Sequence, residues 1–150
     1  MLAAGSVAPD FTLPDHGGSD VSLRALLAHG PVVLFFYPGD FTPVCTREVC
    51  MVRDLHAELA AAGVTVVGVS PDDAATHERF RERHALPFTL LPDPEKRVIR
   101  AYGVDGPFGF GVRRATFLIA RDGTIRDTVA AALSVGKHEA FMRRAMAADA

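Results

Sequence analysis

Two cysteines are the residues of this chain whose type and spacing are most suited to chemistry. Cys45 and Cys50 lie five residues apart in the segment FFYPGDFTPVCTREVC, residues 35–50, and the 150-residue chain has no other cysteine. Two cysteines cannot form a disulfide framework, so the hydrophobic core must carry the fold and the thiols remain available for chemistry. Their spacing alone leaves open a redox pair, half of a metal site or two buried neighbours.

Cys45 lies near the predicted start of a helix. Thr42 suits the N-cap position and Pro43 the first helical position, which makes Cys45 the third helical residue. There the thiol lies among unpaired backbone N–H groups at the positive end of the helix dipole. This environment favours the thiolate, which is the nucleophilic form of cysteine. Cys45 is therefore the predicted nucleophile.

Cys50 lies further along the same predicted helix. An ideal helix separates the Cα atoms of residues five apart by roughly 8.5 Å. A disulfide requires a Cα separation of about 4.4–6.8 Å. A bond between the two sulfurs therefore requires the first turns of the helix to unwind, so a redox pair here predicts a conformational change.

A peroxide is an oxidant that suits such a thiolate. Attack on its O–O bond gives a sulfenic acid, which a second thiol converts into a disulfide. The reaction needs hydrogen-bond donors that hold the peroxide oxygens and stabilise the leaving group. The backbone N–H of Cys45, the hydroxyl of Thr42 and an arginine are candidate donors, and Pro38 is expected to help exclude water.

The elements that position these residues follow a β-α-β-α order, then a β-hairpin and a last helix. Strands are predicted at 31–37, 64–70, 88–91, 115–120 and 124–129, and helices at 42–62, 72–84, near Pro94 and at 136–147. Alternating strands and helices predict one α/β domain over residues 1–150. The expected architecture is a thioredoxin-like fold with an N-terminal extension and a central mixed sheet, mostly parallel with an antiparallel edge, flanked by helices.

The segment Pro38-Gly-Asp-Phe-Thr42-Pro-Val-Cys45 resembles the P-x-x-x-T-x-x-C signature of the peroxiredoxins. The second cysteine five residues on resembles the peroxiredoxin Q branch, also called bacterioferritin comigratory protein. The likeness covers nearly the whole chain, with further matches at 5–13, 67–72, 86–94 and 113–123. The signature is specific here because it follows a buried strand and opens a helix. Two positions depart from the family pattern: Gly39 replaces a usual lysine and Val44 a usual glycine.

The resemblance implies a thiol peroxidase that reduces hydrogen peroxide and organic hydroperoxides. It implies that Cys45 is the peroxidatic cysteine and Cys50 the resolving one, and that Thr42 hydrogen-bonds the peroxide and the thiolate. Thioredoxin or a similar dithiol is the expected reductant. No cofactor and no metal are expected, and the chain is expected to be a monomer or a weak homodimer.

An arginine and a glutamate complete the site that the resemblance implies. Arg114, directly before the strand at 115–120, matches the active-site arginine of the family, and Arg113 is the less favoured candidate. Neighbouring residues at the start of a strand point to opposite faces, so only one of the two can face the pocket. Glu48, one turn after Cys45, is expected to orient this arginine, although a pairing with a neighbour or with solvent is equally compatible with the sequence.

Three alternatives accompany the peroxidase prediction. The first is a one-Cys peroxiredoxin, in which Cys50 is only a small core residue. The second is a non-enzymatic binding protein that responds to oxidation by unwinding its helix. The third is a thioredoxin-like disulfide reductase, which is disfavoured because that chemistry uses C-x-x-C and position 48 is Glu48.

Two further features invite a functional interpretation that the sequence does not favour. His77 and His84 can share a helix face but lack the spacing of metal ligands, so solvated surface histidines are predicted. The glycine-rich run 103–111 leads into a strand rather than a helix, which predicts a flexible connection rather than a phosphate-binding loop. Phe108 and Phe110 in this run are expected to pack over the core rather than to shape the active-site entrance.

Composition limits the classes of partner. The formal net charge of −2 gives no reason to expect binding to nucleic acid or to an anionic membrane. The longest apolar run, Val32 to Tyr37, is too short to cross a bilayer. The N-terminus has neither a basic region nor a sustained apolar region, so no secretory signal is predicted and a cytoplasmic location is expected.

Overall fold

The central strand of the molecule is β3, Val32–Phe36, whose five residues are all buried. The computed structural model describes residues 1–131 and 134–147. A continuous apolar run forms a strand that is covered on both faces. β3 pairs in parallel with β4, Thr65–Ser70, and antiparallel with β6, Ala115–Ile119.

Two outer strands complete a five-stranded sheet with the order β5-β4-β3-β6-β7. β5, Thr89–Pro92, runs parallel to β4, and β7, Ile125–Ala130, forms the predicted hairpin with β6. The sheet is mixed, as predicted, but it is not mostly parallel: two strand pairs are parallel and two are antiparallel.

Three helices lie over one face of the sheet. They are α2, Pro43–Ala61, α3, Ala74–His84, and α5, Val135–Ala147. Alternate residues of β3 point to this face, where Val33, Phe35 and Tyr37 join a core that includes Val49 and Phe141. The predicted apolar positions of α2 at 49, 52, 55 and 59 are buried.

The chain before β3 covers part of the opposite face. It forms β1, Thr12–Pro14, β2, Asp20–Ser22, and α1, Leu23–Leu27; later in the chain come α4, Arg97–Ala101, and a 3₁₀ turn, Pro107–Gly109. Val32, Leu34 and Phe36 of β3 point to this second core. The sequence predicts no strand or helix in this N-terminal extension, because strands of three residues are too short to show a hydrophobic periodicity.

The predicted elements agree with the observed ones to within about two residues, apart from α4, which starts after its predicted position near Pro94. Within the described residues, the structure contains no helix that is both long enough and apolar enough to span a membrane.

Candidate active site

The loop between β3 and α2 leads directly to the predicted nucleophile. Thr42 is at the N-cap position, with φ −84° and ψ 149°, and its carbonyl accepts the first helical hydrogen bond from Thr46 N at 2.8 Å. Its side chain, however, makes no capping hydrogen bond to the helix. The hydroxyl instead donates to the carbonyl of Gly39 at 2.9 Å, which closes the loop on itself. The prediction of Thr42 as N-cap is thus correct for the backbone and wrong for the side chain.

Cys45 and Arg114 are brought together by the pairing of β3 with β6. Phe36 pairs with Ala115, so the end of β3, which leads into the loop, lies beside the start of β6, which Arg114 precedes. Cys45 is fully buried, and Arg114 Nη2 donates to its Sγ at 3.0 Å. A guanidinium at this distance stabilises a thiolate, since it supplies both charge and a hydrogen bond.

Arg113 is exposed, and its backbone N–H donates to the carbonyl of Val104 at 2.7 Å. Arg114 is 5% exposed. The two arginines thus have opposite environments, as the alternation of side chains along extended chain requires. The structure places Arg114 rather than Arg113 against Cys45.

Glu48 lies one turn after Cys45 and faces the same arginine. Its carboxylate is fully buried, and Oε1 accepts a hydrogen bond from Arg114 Nη1 at 2.6 Å. The guanidinium therefore contacts the glutamate with one nitrogen and the cysteine with another. Burial raises the pKa of Glu48 to about 7, while the charge of Arg114 opposes this rise.

His138 of α5 is a neighbour of this site that the sequence did not identify. Its Nδ1 lies 2.8 Å from the hydroxyl of Thr116 and 3.4 Å from Glu48 Oε2, and its Nε2 lies 3.1 Å from the carbonyl of Ala131. Burial lowers the pKa of His138, which favours the neutral ring. No local signal marks this residue, because its partners come from other elements of the chain.

A cleft of about 370 Å³ opens beside Arg114, with Pro38, Val112 and Phe110 among its lining residues. Phe108 and Phe110 are 99% and 79% exposed, so the prediction that they pack over the core is wrong. The turn that carries them is held in place, since Lys96 Nζ donates to the carbonyls of Gly109 and Gly111 at 3.3 and 3.1 Å. Phe110 instead lines the cleft beside Arg114.

Cys50 is half-buried on α2, and its thiol is free, as is that of Cys45. The Sγ of Cys50 lies 3.8 Å from Nδ1 of His84, at the end of α3. α2 is continuous through both cysteines, so the two thiols lie on one regular helix. The Cα separation of residues five apart on a regular helix, which is too long for a disulfide, therefore applies to Cys45 and Cys50 in the folded chain.

The predicted surface location of His77 is wrong. This side chain is fully buried, and its Nδ1 lies 2.6 Å from Oδ2 of Asp40, a residue of the loop that leads to Cys45. Asp40 is also buried, and the sequence pattern gives no signal for its contact with His77. A polar residue on a helix next to an apolar position is usually assigned to the surface, and no local pattern reveals a carboxylate 37 residues away. Among the described residues no cluster of three metal-ligating side chains occurs.

Comparisons with known proteins agree with the geometry. The model of the AhpC/TSA family matches residues 4–128. The putative peroxiredoxin bcp of Coxiella burnetii is 43% identical over 130 residues, which are 83% of this chain and 85% of that protein. The chloroplastic peroxiredoxin Q of rice is 41% identical over 126 residues, again 83% of this chain, but this chain spans only 58% of its length.

A solved structure shows the same architecture. The crystal structure of the peroxidoxin BcpB from Mycobacterium tuberculosis superposes with a TM-score of 0.91 at 35% identity and covers 98% of this chain and 97% of its own. The thioredoxin-like fold predicted from the sequence is thereby confirmed. The chain belongs to the AhpC/TSA family, and its relatives there are peroxiredoxins of the Q and bcp type.

Proposed function

We propose that this chain is a thiol peroxidase in which Cys45 is the peroxidatic cysteine and Cys50 the resolving one. The observation that carries this proposal is the buried Cys45 sulfur at the start of α2, 3.0 Å from a guanidinium nitrogen of Arg114. A fully buried thiol beside a buried cation that is held by Glu48 is an arrangement for reactivity rather than for packing.

In the first step the Cys45 thiolate attacks one oxygen of the peroxide. A sulfur–oxygen bond forms, the O–O bond breaks, and the leaving oxygen takes up a proton to become water or an alcohol. Arg114 and the backbone N–H of Cys45 stabilise the charge on the leaving oxygen, and the Thr42 hydroxyl orients the peroxide. Pro38 and the apolar wall of the cleft limit access of water.

In the second step Cys50 attacks the sulfur of the Cys45 sulfenic acid. The disulfide forms and the hydroxyl group leaves as water. This step requires the start of α2 to unwind, since the two residues lie too far apart on a regular helix. An external dithiol, most suitably thioredoxin, then reduces the disulfide by exchange and becomes a disulfide itself.

The proposal extends to substrates, partners and location. The cleft beside Arg114 has room for the organic part of a hydroperoxide, so organic hydroperoxides as well as hydrogen peroxide are proposed substrates. The two cysteines, the peroxide and the dithiol account for every bond and electron in these steps, so the cycle requires no metal, haem or flavin. We further propose a cytoplasmic monomer or weak homodimer formed by a single domain over residues 1–150.

The test is peroxide consumption by the purified chain with thioredoxin, thioredoxin reductase and NADPH. The wild-type chain should turn over hydrogen peroxide and cumene hydroperoxide, and Cys45→Ser should be inactive. A wild-type rate no higher than that of Cys45→Ser would leave the non-enzymatic redox-responsive binding protein as the better interpretation.

Cys50→Ser is the matched control for the role of the second cysteine. It should react with one equivalent of peroxide at the wild-type rate but should not turn over with thioredoxin. Full turnover of Cys50→Ser would support a one-Cys mechanism instead.

A further inference from the structure

Three buried polar residues, Tyr37, Asp40 and His77, form a cluster at the loop that leads to Cys45; it is called the Asp40 cluster below. The Tyr37 hydroxyl donates to Asp40 Oδ1 at 2.6 Å, and His77 Nδ1 lies 2.6 Å from Asp40 Oδ2. The side chains of His77 and Asp40 are fully buried, and so is Tyr37. Burial and the charge of Asp40 raise the pKa of Tyr37 well above its usual value, so the phenol keeps the proton that it donates.

Two more contacts attach the cluster to the folded core. The backbone N–H of Asp40 donates to Asp72 Oδ2 at 2.5 Å, and the Ser70 hydroxyl lies 3.3 Å from His77 Nε2. Ser70 ends β4 and Asp72 lies just before α3, whose N-cap is Asp73. Two carboxylates thus bond the loop before Cys45 to the core: the carboxylate of Asp40 contacts His77 of α3, and the carboxylate of Asp72 accepts from the backbone of Asp40. Ser70, at the end of β4, contacts both His77 and Asp72.

The next residue of the loop, Phe41, has an unfavourable backbone conformation. Its φ is 63°, in the left-handed region that is unfavourable for a residue with a bulky side chain and persists only where the surroundings impose it. Two restraints act here: Asp40 on one side, and the edge-to-face contact between the Phe41 and Phe80 rings, with centroids 5.0 Å apart. The loop therefore tends to relax once the bonds of Asp40 are broken.

We propose that the Asp40 cluster positions the catalytic loop and controls the unwinding that lets Cys45 reach Cys50. Its hydrogen bonds hold residues 38–42 in the conformation that places Thr42 and Cys45 for reaction with peroxide. Their loss frees the strained loop and the start of α2. This inference rests on the proposed function only for the use of the unwinding; the restraint itself exists in the reduced chain without peroxide.

Tyr37→Phe is the sharpest change, because it keeps the ring and removes one hydrogen bond to a buried carboxylate. A hydrogen bond to a charged group stabilises the closed conformation of the loop. Its loss should therefore raise the population of the opened loop about tenfold. In a reduced Cys50→Ser background, alkylation of the buried Cys45 by iodoacetamide should therefore become about tenfold faster. Hydrogen exchange at Asp40 and at 46–50 should accelerate by a similar factor.

Val66→Ala is the matched control for a general loss of stability. Val66 is 2% exposed and lies at the opposite end of β4 from Ser70, so its truncation weakens the core without touching the cluster. It should not accelerate Cys45 alkylation selectively. An alkylation rate in Tyr37→Phe within twofold of wild type, or an equal acceleration in Val66→Ala, would overturn the inference.

A rescue pair separates positioning from packing. His77→Asn places an amide nitrogen where Nδ1 lies and should keep the loop closed, whereas His77→Leu fills the space without a donor and should open it. With peroxide present, Tyr37→Phe and His77→Leu should react more slowly at Cys45 but form the disulfide several-fold faster. If a variant shows faster alkylation of Cys45 but an unchanged rate of disulfide formation, the Asp40 cluster does not control the unwinding. None of the alkylation results depends on peroxidase activity.

Discussion

The guanidinium of Arg114 contacts two ionisable groups, the carboxyl of Glu48 and the thiol of Cys45. Its Nη1 donates to Glu48 and its Nη2 to Cys45, at 2.6 and 3.0 Å. Only a planar side chain with several donors makes both contacts in one orientation, so a lysine is not an equivalent replacement. In the proposed mechanism Glu48 therefore acts on Cys45 through Arg114 and has a positioning role.

Arg114→Ala should slow the oxidation of Cys45 by hydrogen peroxide by about 10²–10³-fold, a loss typical of one removed electrostatic donor. Arg114→Lys should recover part of the rate, because charge returns without the second hydrogen bond. Arg113→Ala is the control and should stay within about twofold of wild type, since Arg113 is exposed. The measurement is stopped-flow oxidation of the single-cysteine Cys50→Ser chain, and a larger loss for Arg113→Ala would contradict the assignment of Arg114.

At the scale of elements, α2 has to serve two purposes that conflict. As a continuous helix from Pro43 it places Cys45 beside Arg114, and as a continuous helix it keeps Cys50 out of reach. Val44 lies in the first turn of α2, where a glycine would give the backbone more freedom to unwind. In the proposed mechanism the folded helix favours the reaction with peroxide, and the unwound helix favours the disulfide.

One equivalent of hydrogen peroxide should therefore produce an intramolecular Cys45–Cys50 disulfide together with a loss of structure at the start of α2. Peptide mass spectrometry should detect the cross-link, and hydrogen exchange should show faster exchange at 46–50 than in the reduced chain. Cys50→Ser should keep its protection and hold Cys45 as the sulfenic acid, which further equivalents of peroxide convert into over-oxidised Cys45. A disulfide with unchanged protection, or over-oxidised Cys45 with an alkylatable Cys50 in the wild-type chain, would contradict the unwinding mechanism.

The sequence predicted these elements well where local patterns decide the structure. The continuous apolar run of β3 and the Thr42-Pro43 start of α2 are local signals, and both elements were placed correctly. The buried histidines were not found, because His77 and His138 are buried by partners far along the chain, Asp40 and Thr116. Hydrophobic periodicity assigns polar residues to the surface, and only the tertiary structure shows that these are satisfied inside.

On the scale of the whole molecule, one face of the sheet buries several ionisable side chains within its apolar core. Glu48 and His138 lie on different helices and affect the pH dependence of stability in opposite ways. The pKa of His138 is lowered by burial. Its contribution to the stability of the folded chain is therefore present above the ordinary histidine pKa of 6.5 and is lost as the pH falls. The pKa of Glu48 is raised, so its contribution to the stability of the folded chain is present at low pH and is lost as the pH rises.

Glu48→Gln should remove the second of these effects. The carboxyl of Glu48 has an ordinary pKa of 4.5 and a folded-state pKa of about 7, so the folded chain holds a proton that the unfolded chain has released between these values. The free energy of unfolding of the wild-type chain should fall across this interval by about 3 kcal/mol from this residue, at about 1.4 kcal/mol per pH unit. Glu48→Gln has no proton to lose, so its stability relative to wild type should increase as the pH rises from 5 to 7.

Urea denaturation of the reduced chains at several pH values measures this difference. Glu58→Gln, an exposed position on the same helix, is the control and should follow the wild-type curve. The absolute stability of Glu48→Gln depends also on the loss of its bond to Arg114, but that loss shifts the curve without giving it this slope. Parallel wild-type and Glu48→Gln curves between pH 5 and 7 would mean that Glu48 is already ionised throughout this range and that Arg114 outweighs the effect of burial.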